Sequence, residues 1–172
     1  MQESPRQVKP DAQQIATITR LLGREPRGLE AVAVADAAGR PRVIRVASLV
    51  DGKPFPTLFW LVDPDISYRL DQVEAGGLIA RLQQQVDSDP GLQAAMAADH
   101  RAHIALREQH MTSQVRAEIE RLGFSAVFAQ RGIGGIEDFT RIRCLHTWYA
   151  AHLVAANTIG ALVDEYFASQ RD

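Results

Sequence analysis

The single cysteine of this 172-residue chain, Cys144, stands two residues before His146 in the run Arg143-Cys144-Leu145-His146. A cysteine with a histidine beside it can act as a thiolate nucleophile with its general base. Neighbouring arginines, here Arg141 and Arg143, and a helix N-terminus both lower a thiol pKa. A regular helix opposes the pairing, because residues i and i+2 point about 200° apart. Cys144 and His146 therefore form a catalytic pair only if Cys144 sits in an irregular first turn. Otherwise Cys144 packs as a small hydrophobe. Cys144, Trp148 and His152 do share a helical face, but Cys144 and His152 are then roughly 12 Å apart along the axis. One metal ion cannot take both.

Just upstream lies the run Arg131-Gly132-Ile133-Gly134-Gly135-Ile136. Gly132, Gly134 and Gly135 permit backbone shapes that turn several N–H groups inward. A following helix N-terminus also favours anions. With Arg131, Arg141 and Arg143 around it, this loop is a candidate seat for a phosphate or carboxylate. It lacks the Gly-Lys-Ser/Thr of a Walker loop and the G-x-G-x-x-G spacing of a dinucleotide fingerprint. The plain alternative is a tight turn. Arg24 and Arg27 form a second arginine-bearing loop, which joins the same anion site or pairs with acidic residues.

His100, His103, Arg107 and His110 recur on one helical stripe. A His-x-x-His pair can bind zinc, which makes His100, His103 and His110 weak metal candidates. Arg107 in the middle of the stripe repels a divalent cation, so no metal site is favoured. The alternatives are a polar seam beside an apolar stripe, or an anion held by the histidines and Arg107 together.

The elements that must position these residues follow from pattern. Net charge is −2 and the pI is about 6.2, which argues against a chain-wide grip on nucleic acid. Arginine dominates the basic residues, with lysine only at Lys9 and Lys53, and arginine suits forked contacts to carboxylate or phosphate. One cysteine allows neither an internal disulfide nor a cysteine zinc cluster. No stretch reaches the roughly 18 apolar residues of a membrane span, and residues 1–14 lack the apolar core of a signal peptide. A cytoplasmic protein is expected.

Residues 1–9 read as a flexible tail and 10–172 as a single domain. Asp11 with Gln14 predicts a capping box, followed by the apolar face Ile15, Ile18, Leu21 and Leu22, with Gly23 as the stop. Strands are predicted over 30–36, 42–50 and 57–62. Pro54-Phe55-Pro56 fixes the approach to the last strand, and Pro56 admits a cis bond. Asp63-Pro64 and Asp89-Pro90 each predict an N-cap with proline in the first turn. Helices follow over 63–74, 78–87, 90–122, 141–155 and 158–168, with a short strand or extended link over 124–130. This is an α+β fold: a small antiparallel sheet of about three strands packed by about six helices, one of them long.

A helix over 90–122 would span roughly 50 Å, against a domain diameter of roughly 40 Å. It must bend at Thr112-Ser113 or protrude. A protruding helix with the stripe Ile104, Met111, Val115, Ile119 and Leu122 predicts a homodimer.

Several stretches resemble one family: Gly23-Arg24-Glu25-Pro26-Arg27-Gly28, Pro54-Phe55-Pro56-Thr57-Leu58-Phe59-Trp60-Leu61, Asp89-Pro90, Arg143-Cys144-Leu145-His146 and Ala151-His152-Leu153. Together they look like the uncharacterised bacterial domain-of-unknown-function family numbered five hundred and one. The resemblance implies a small bacterial cytoplasmic protein with no established activity. It puts weight on Arg24, Arg27, Pro56, Cys144 and His146. Ala151 departs from the family pattern, where a histidine often stands.

The leading functional reading is binding of a small anion or phosphorylated metabolite at the glycine and arginine loop, extended to enzymatic activity through Cys144 and His146. The alternative is a non-catalytic adaptor or regulator that dimerises or binds a partner through its long helix. The third is a metal-dependent enzyme using the helix histidines.

Overall fold

Reciprocal capping opens the fold. The Asp11 side chain accepts the Gln14 N–H and the Gln14 side chain accepts the Asp11 N–H, which starts α1 (Ala12–Leu22). The structure, a computed structural model, describes residues 9–171, so the expected tail over 1–9 lies outside the described residues except for Lys9. A three-stranded antiparallel sheet follows in the order β1 (Leu29–Ala35), β2 (Pro41–Val46), β5 (Phe59–Leu61). Its register pairs Val43 with Leu61, Ile44 with Trp60 and Arg45 with Phe59.

The strand predicted over 42–50 is divided. After Val46 the chain leaves the sheet: Ala47 N–H bonds to Gly28 O, and Phe55 N–H to Ser48 O. The remainder makes a separate hairpin, β3 (Leu49–Val50) and β4 (Lys53–Pro54), around Asp51-Gly52. Every peptide bond among the described residues is trans, Phe55–Pro56 included.

Alternate residues of a strand face opposite sides, and both sides of this sheet are covered. Ile44 and Val46 meet Ile18 of α1 in a small cluster. Val43 and Phe59 face the larger core, which includes Leu70, Met96, Trp148 and Ile159. That core is built from α2 (Pro64–Ala75), α3 (Leu78–Ser88), α4 (Pro90–His110), α7 (Leu145–Val154) and α8 (Thr158–Ser169). Asp63 caps α2 by accepting the Asp65 and Ile66 N–H groups, and Asp89 caps α4 by accepting those of Gly91 and Leu92.

Three expectations are corrected. The helix predicted over 90–122 is two helices, α4 and α5 (Ser113–Arg121), because Met111 and Thr112 are extended, with ψ of 129° and 161°. Thr112 instead caps α5, its hydroxyl accepting the Val115 N–H at 3.1 Å. The 21 residues of α4 span about 32 Å, which fits within the domain. The segment 124–130 is helix α6 (Ser125–Gln130) rather than a strand or link, with Phe128 buried. Finally, α7 starts at Leu145, not near 141, because Arg143 has a left-handed φ of 62° and Cys144 is extended. The α+β fold with a small three-stranded antiparallel sheet is as expected, and the described residues hold eight α-helices where about six were expected, with a short 3-10 turn at Ile133–Gly135.

Candidate functional site

The late start of α7 decides the geometry of the cysteine. Cys144 is the residue before the helix, with φ −144° and ψ 122°. This is the irregular turn that the pairing requires. Cys144 Sγ lies 3.9 Å from His146 Nδ1. The other ring nitrogen, Nε2, lies 3.1 Å from Oδ1 of Asp71. Glu74, one helical turn along α2 from Asp71, places Oε1 3.3 Å from His146 Nδ1. The same oxygen accepts the Leu145 N–H at 2.7 Å. Cys144 makes no capping bond with its own side chain, so the Glu74 carboxylate caps α7 from another helix. A carboxylate suits that place, since a helix N-terminus carries partial positive charge.

The electrostatics follow from these contacts. Hydrogen bonding to Cys144 raises the His146 pKa to about 9; burial opposes this, and the charges of Glu74, Cys144 and Asp71 add to it. Burial pushes the Cys144 thiol up, but bonding to His146 and to the Thr147 and His146 N–H groups outweighs it, and the net shift is downward. Nδ1 of the ring thus faces both the Cys144 sulfur and the Glu74 carboxylate, and Nε2 faces Asp71.

His146 opens onto a cleft of 300 Å³, which it lines with Thr147, Leu22, Thr57, Phe59, Trp60 and Leu61. The Arg24 guanidinium lies over the Trp60 ring, 5.3 Å from its centre. Two segments singled out in the sequence therefore line this cleft, the run from Pro54 to Leu61 and the Cys-Leu-His turn, and Arg24 reaches one of its walls through Trp60. Arg27 turns away and pairs with Asp51 at 3.0 Å, both side chains exposed.

The glycine loop faces inward. Ile133 N–H bonds to His100 Nδ1, Gly132 N–H to Ile136 O, Gly135 N–H to Gly132 O and Ile136 N–H to Ile133 O. These four amides already have partners within the protein. A Cβ on Gly132 would lie 2.2 Å from His100 Nδ1, and one on Gly134 2.6 Å from Thr147 Oγ1. The glycines let the loop approach α4 and α7 closely. Gly135 packs against Pro56 in the same way. Arg131, Arg141 and Arg143 are exposed. Asp138 stands among them, held below the ordinary carboxylate range first by bonds from Thr140 and then by the charges of Arg141 and Arg143.

The long-helix histidines do not join the cysteine. His100 and His103 are buried, and burial lowers their pKa values to about 4 and about 3. His100 stacks on Phe139 and meets Trp148 edge-on. Arg107, fully buried, donates to the carbonyls of Pro56, Phe128 and Arg131. It ties the strand approach to the end of α6. His110 lies apart, in a different cleft with Arg45 and Glu30. Among the described residues, the set that could hold a metal is instead Glu74, Cys144 and His146, whose ligand atoms all lie within 4.8 Å of one another.

Glu74 and Asp71 were not singled out in the sequence. They stand some 70 residues from the cysteine, as two acids on an amphipathic helix, and the only signal was their spacing of three, which any solvated helix face can show.

Among the described residues, no helix is long and apolar enough to cross a membrane. A family model described as "Protein of unknown function (DUF501)" matches residues 32–165. It agrees with the resemblance seen in the sequence, although the Arg24 loop precedes the matched span. No curated protein and no solved structure matches the chain.

Proposed function

We propose, for a chain that belongs to the DUF501 family of unknown function, that it is a thiol-dependent enzyme acting on a small anionic substrate. One observation carries this reading: the two ring nitrogens of His146 face Cys144 Sγ, at 3.9 Å, and Asp71, at 3.1 Å. A nucleophile, a base and a group that orients the base make up the logic of a catalytic triad. Cys144 attacks an electrophilic acyl carbon and forms a thioester. The leaving group departs with the proton from His146. Water, deprotonated by His146, then hydrolyses the thioester and frees the thiol. Asp71 is a positioning residue that holds the ring, and Glu74 fixes the turn.

Arg24 supports the anionic substrate. Its guanidinium rests on Trp60 at the wall of the same cleft and can take a carboxylate or phosphate in a forked contact. In this reading the anion sits at the cleft, with Arg24 rather than the glycine loop as its main partner.

Alkylation kinetics test both halves. Iodoacetamide should modify Cys144 at lower pH than a free cysteine, whose pKa is about 8.5, and faster than one at neutral pH. The anionic reagent iodoacetate should gain a further advantage that Arg24→Gln removes. His146→Gln should return the reactive limb to the ordinary thiol range. A wild-type profile that rises only near pH 8.5 refutes the reading.

A further inference from the structure

We propose that Glu74, Cys144 and His146 also form a zinc site, and that the bound ion holds the thiolate in reserve. The binding stands on geometry. Tetrahedral zinc at its usual bond lengths sets nitrogen and sulfur ligands about 3.6 Å apart, and nitrogen and oxygen ligands about 3.3 Å apart. Here Nδ1 of His146 is 3.9 Å from Sγ and 3.3 Å from Glu74 Oε1. The third pair, Cys144 Sγ and Glu74 Oε1, lies within 4.8 Å, and binding draws the thiol and the carboxylate together toward the roughly 3.6 Å that tetrahedral zinc sets.

The outer contacts point the same way. A metal-bound imidazole characteristically donates its second ring N–H to a carboxylate, which fixes the tautomer. Asp71 lies 3.1 Å from Nε2 and fills that role. Glu74 Oε1 is itself held by the Leu145 N–H, so two of the three ligands are oriented by further bonds. One thiolate, one imidazole and one carboxylate suit zinc, whereas magnesium and calcium prefer oxygen ligands alone. Three protein ligands leave one tetrahedral position for water or substrate, beside the cleft that His146 lines.

The consequence for activity rests on the thiol reading above; the binding does not. A sulfur lone pair committed to zinc is a poor nucleophile, and an Nδ1 bound to zinc cannot serve as base. Zinc and catalysis therefore exclude each other at this site, and occupancy sets the resting state.

Metal-free full-length protein should be titrated with cobalt(II) as a spectroscopic probe and then with zinc. One equivalent of cobalt should give tetrahedral visible bands and a near-ultraviolet thiolate charge-transfer band. Zinc should displace both. Cys144→Ser should lose the charge-transfer band, and Asp71→Asn should bind roughly 10- to 100-fold more weakly. Alkylation of wild-type Cys144 by iodoacetamide should slow in proportion to zinc bound and recover with chelator. Octahedral cobalt without a thiolate band overturns the site, as does zinc binding unchanged in Cys144→Ser. Alkylation indifferent to bound zinc overturns the reserve role. The two readings fail separately: tight zinc with an ordinary apo thiol removes the catalytic reading alone, and a reactive apo thiol that binds no metal removes the zinc site alone. The wild-type titration needs no variant, so a misfolded substitution cannot mask the result.

Discussion

A methyl group at Gly132 has nowhere to go. Its Cβ would lie 2.2 Å from His100 Nδ1, the atom that accepts the Ile133 N–H at 3.0 Å. Both residues are buried, so neither can swing aside into solvent. Gly132→Ala should therefore cost roughly 1–3 kcal/mol from overpacking, and about 1 kcal/mol more if the bond to His100 breaks. Gly123 is the matched control: its φ is 79°, yet nothing lies within 4 Å of its Cβ. Gly123→Ala carries backbone strain alone, about 1–2 kcal/mol. Urea unfolding should separate them, with the larger fall in midpoint at Gly132. Equal costs would mean that the close approach is not what selects glycine there. The same residues show what a sequence leaves undecided. A glycine that frees an amide for a ligand and a glycine that admits a neighbouring side chain look identical in one dimension. Only the position of His100, 32 residues earlier in the chain, distinguishes them.

Where local chemistry decides an element, the sequence was readable. The capping pair of Asp11 and Gln14 and the Asp-Pro starts of α2 and α4 all depend on residues within one turn, and all are present. The break between α4 and α5 was harder to read. The apolar stripe from Ile104 through Met111 and Val115 to Ile119 keeps helical spacing across it, so periodicity continues where the backbone does not. Thr112-Ser113 marked the place without showing that the chain would leave the helix. Met111 ends α4, and Thr112 caps α5. Removing that cap should cost about 1 kcal/mol. Thr112→Ala should also speed hydrogen exchange at the Val115 amide, which loses its acceptor. Unchanged exchange at Val115 would deny the cap its role. The break bears on association as well. The dimer expectation drew on a protruding helix of roughly 50 Å, and α4 alone fits within the domain. The large apolar side chains exposed among the described residues, Ile15, Tyr68 and Val154, lie on three different helices.

At the scale of the whole molecule, the candidate site exists only because α2 is folded against the start of α7. Nothing local to Cys144 announces Asp71 or Glu74, and no periodicity links them. The core that joins these helices carries a pH dependence of its own. His100 and His103 are buried, with pKa values lowered to about 4 and about 3 from an ordinary 6.5. Burial is the main cause for both. Asp99 raises His100 slightly, while Arg107 and His100 push His103 further down. Because the folded pKa values lie below the unfolded one, the unfolded chain takes up protons first as pH falls. The contribution of these two histidines is therefore complete above pH 6.5 and is lost as pH drops toward 4. Each tenfold difference in proton affinity between the folded and unfolded chain is worth about 1.4 kcal/mol, so by pH 4 the two histidines together cost on the order of 5 kcal/mol. A domain of this size has roughly 5–15 kcal/mol in total, so the loss is large. The carboxylates Asp36, Glu118 and Asp138 also lie below their ordinary range, but they act at lower pH and leave the interval from 6.5 to 4.5 to the histidines, among them His110, which burial and the Arg45 charge also lower. Melting temperature should fall steeply across that interval. His103→Leu should flatten the slope by removing one of the two most strongly shifted groups, whatever it does to stability at pH 7. A flat profile between pH 6.5 and 4.5, or a His103→Leu protein with the wild-type slope, would show that these histidines are solvated more than their burial implies.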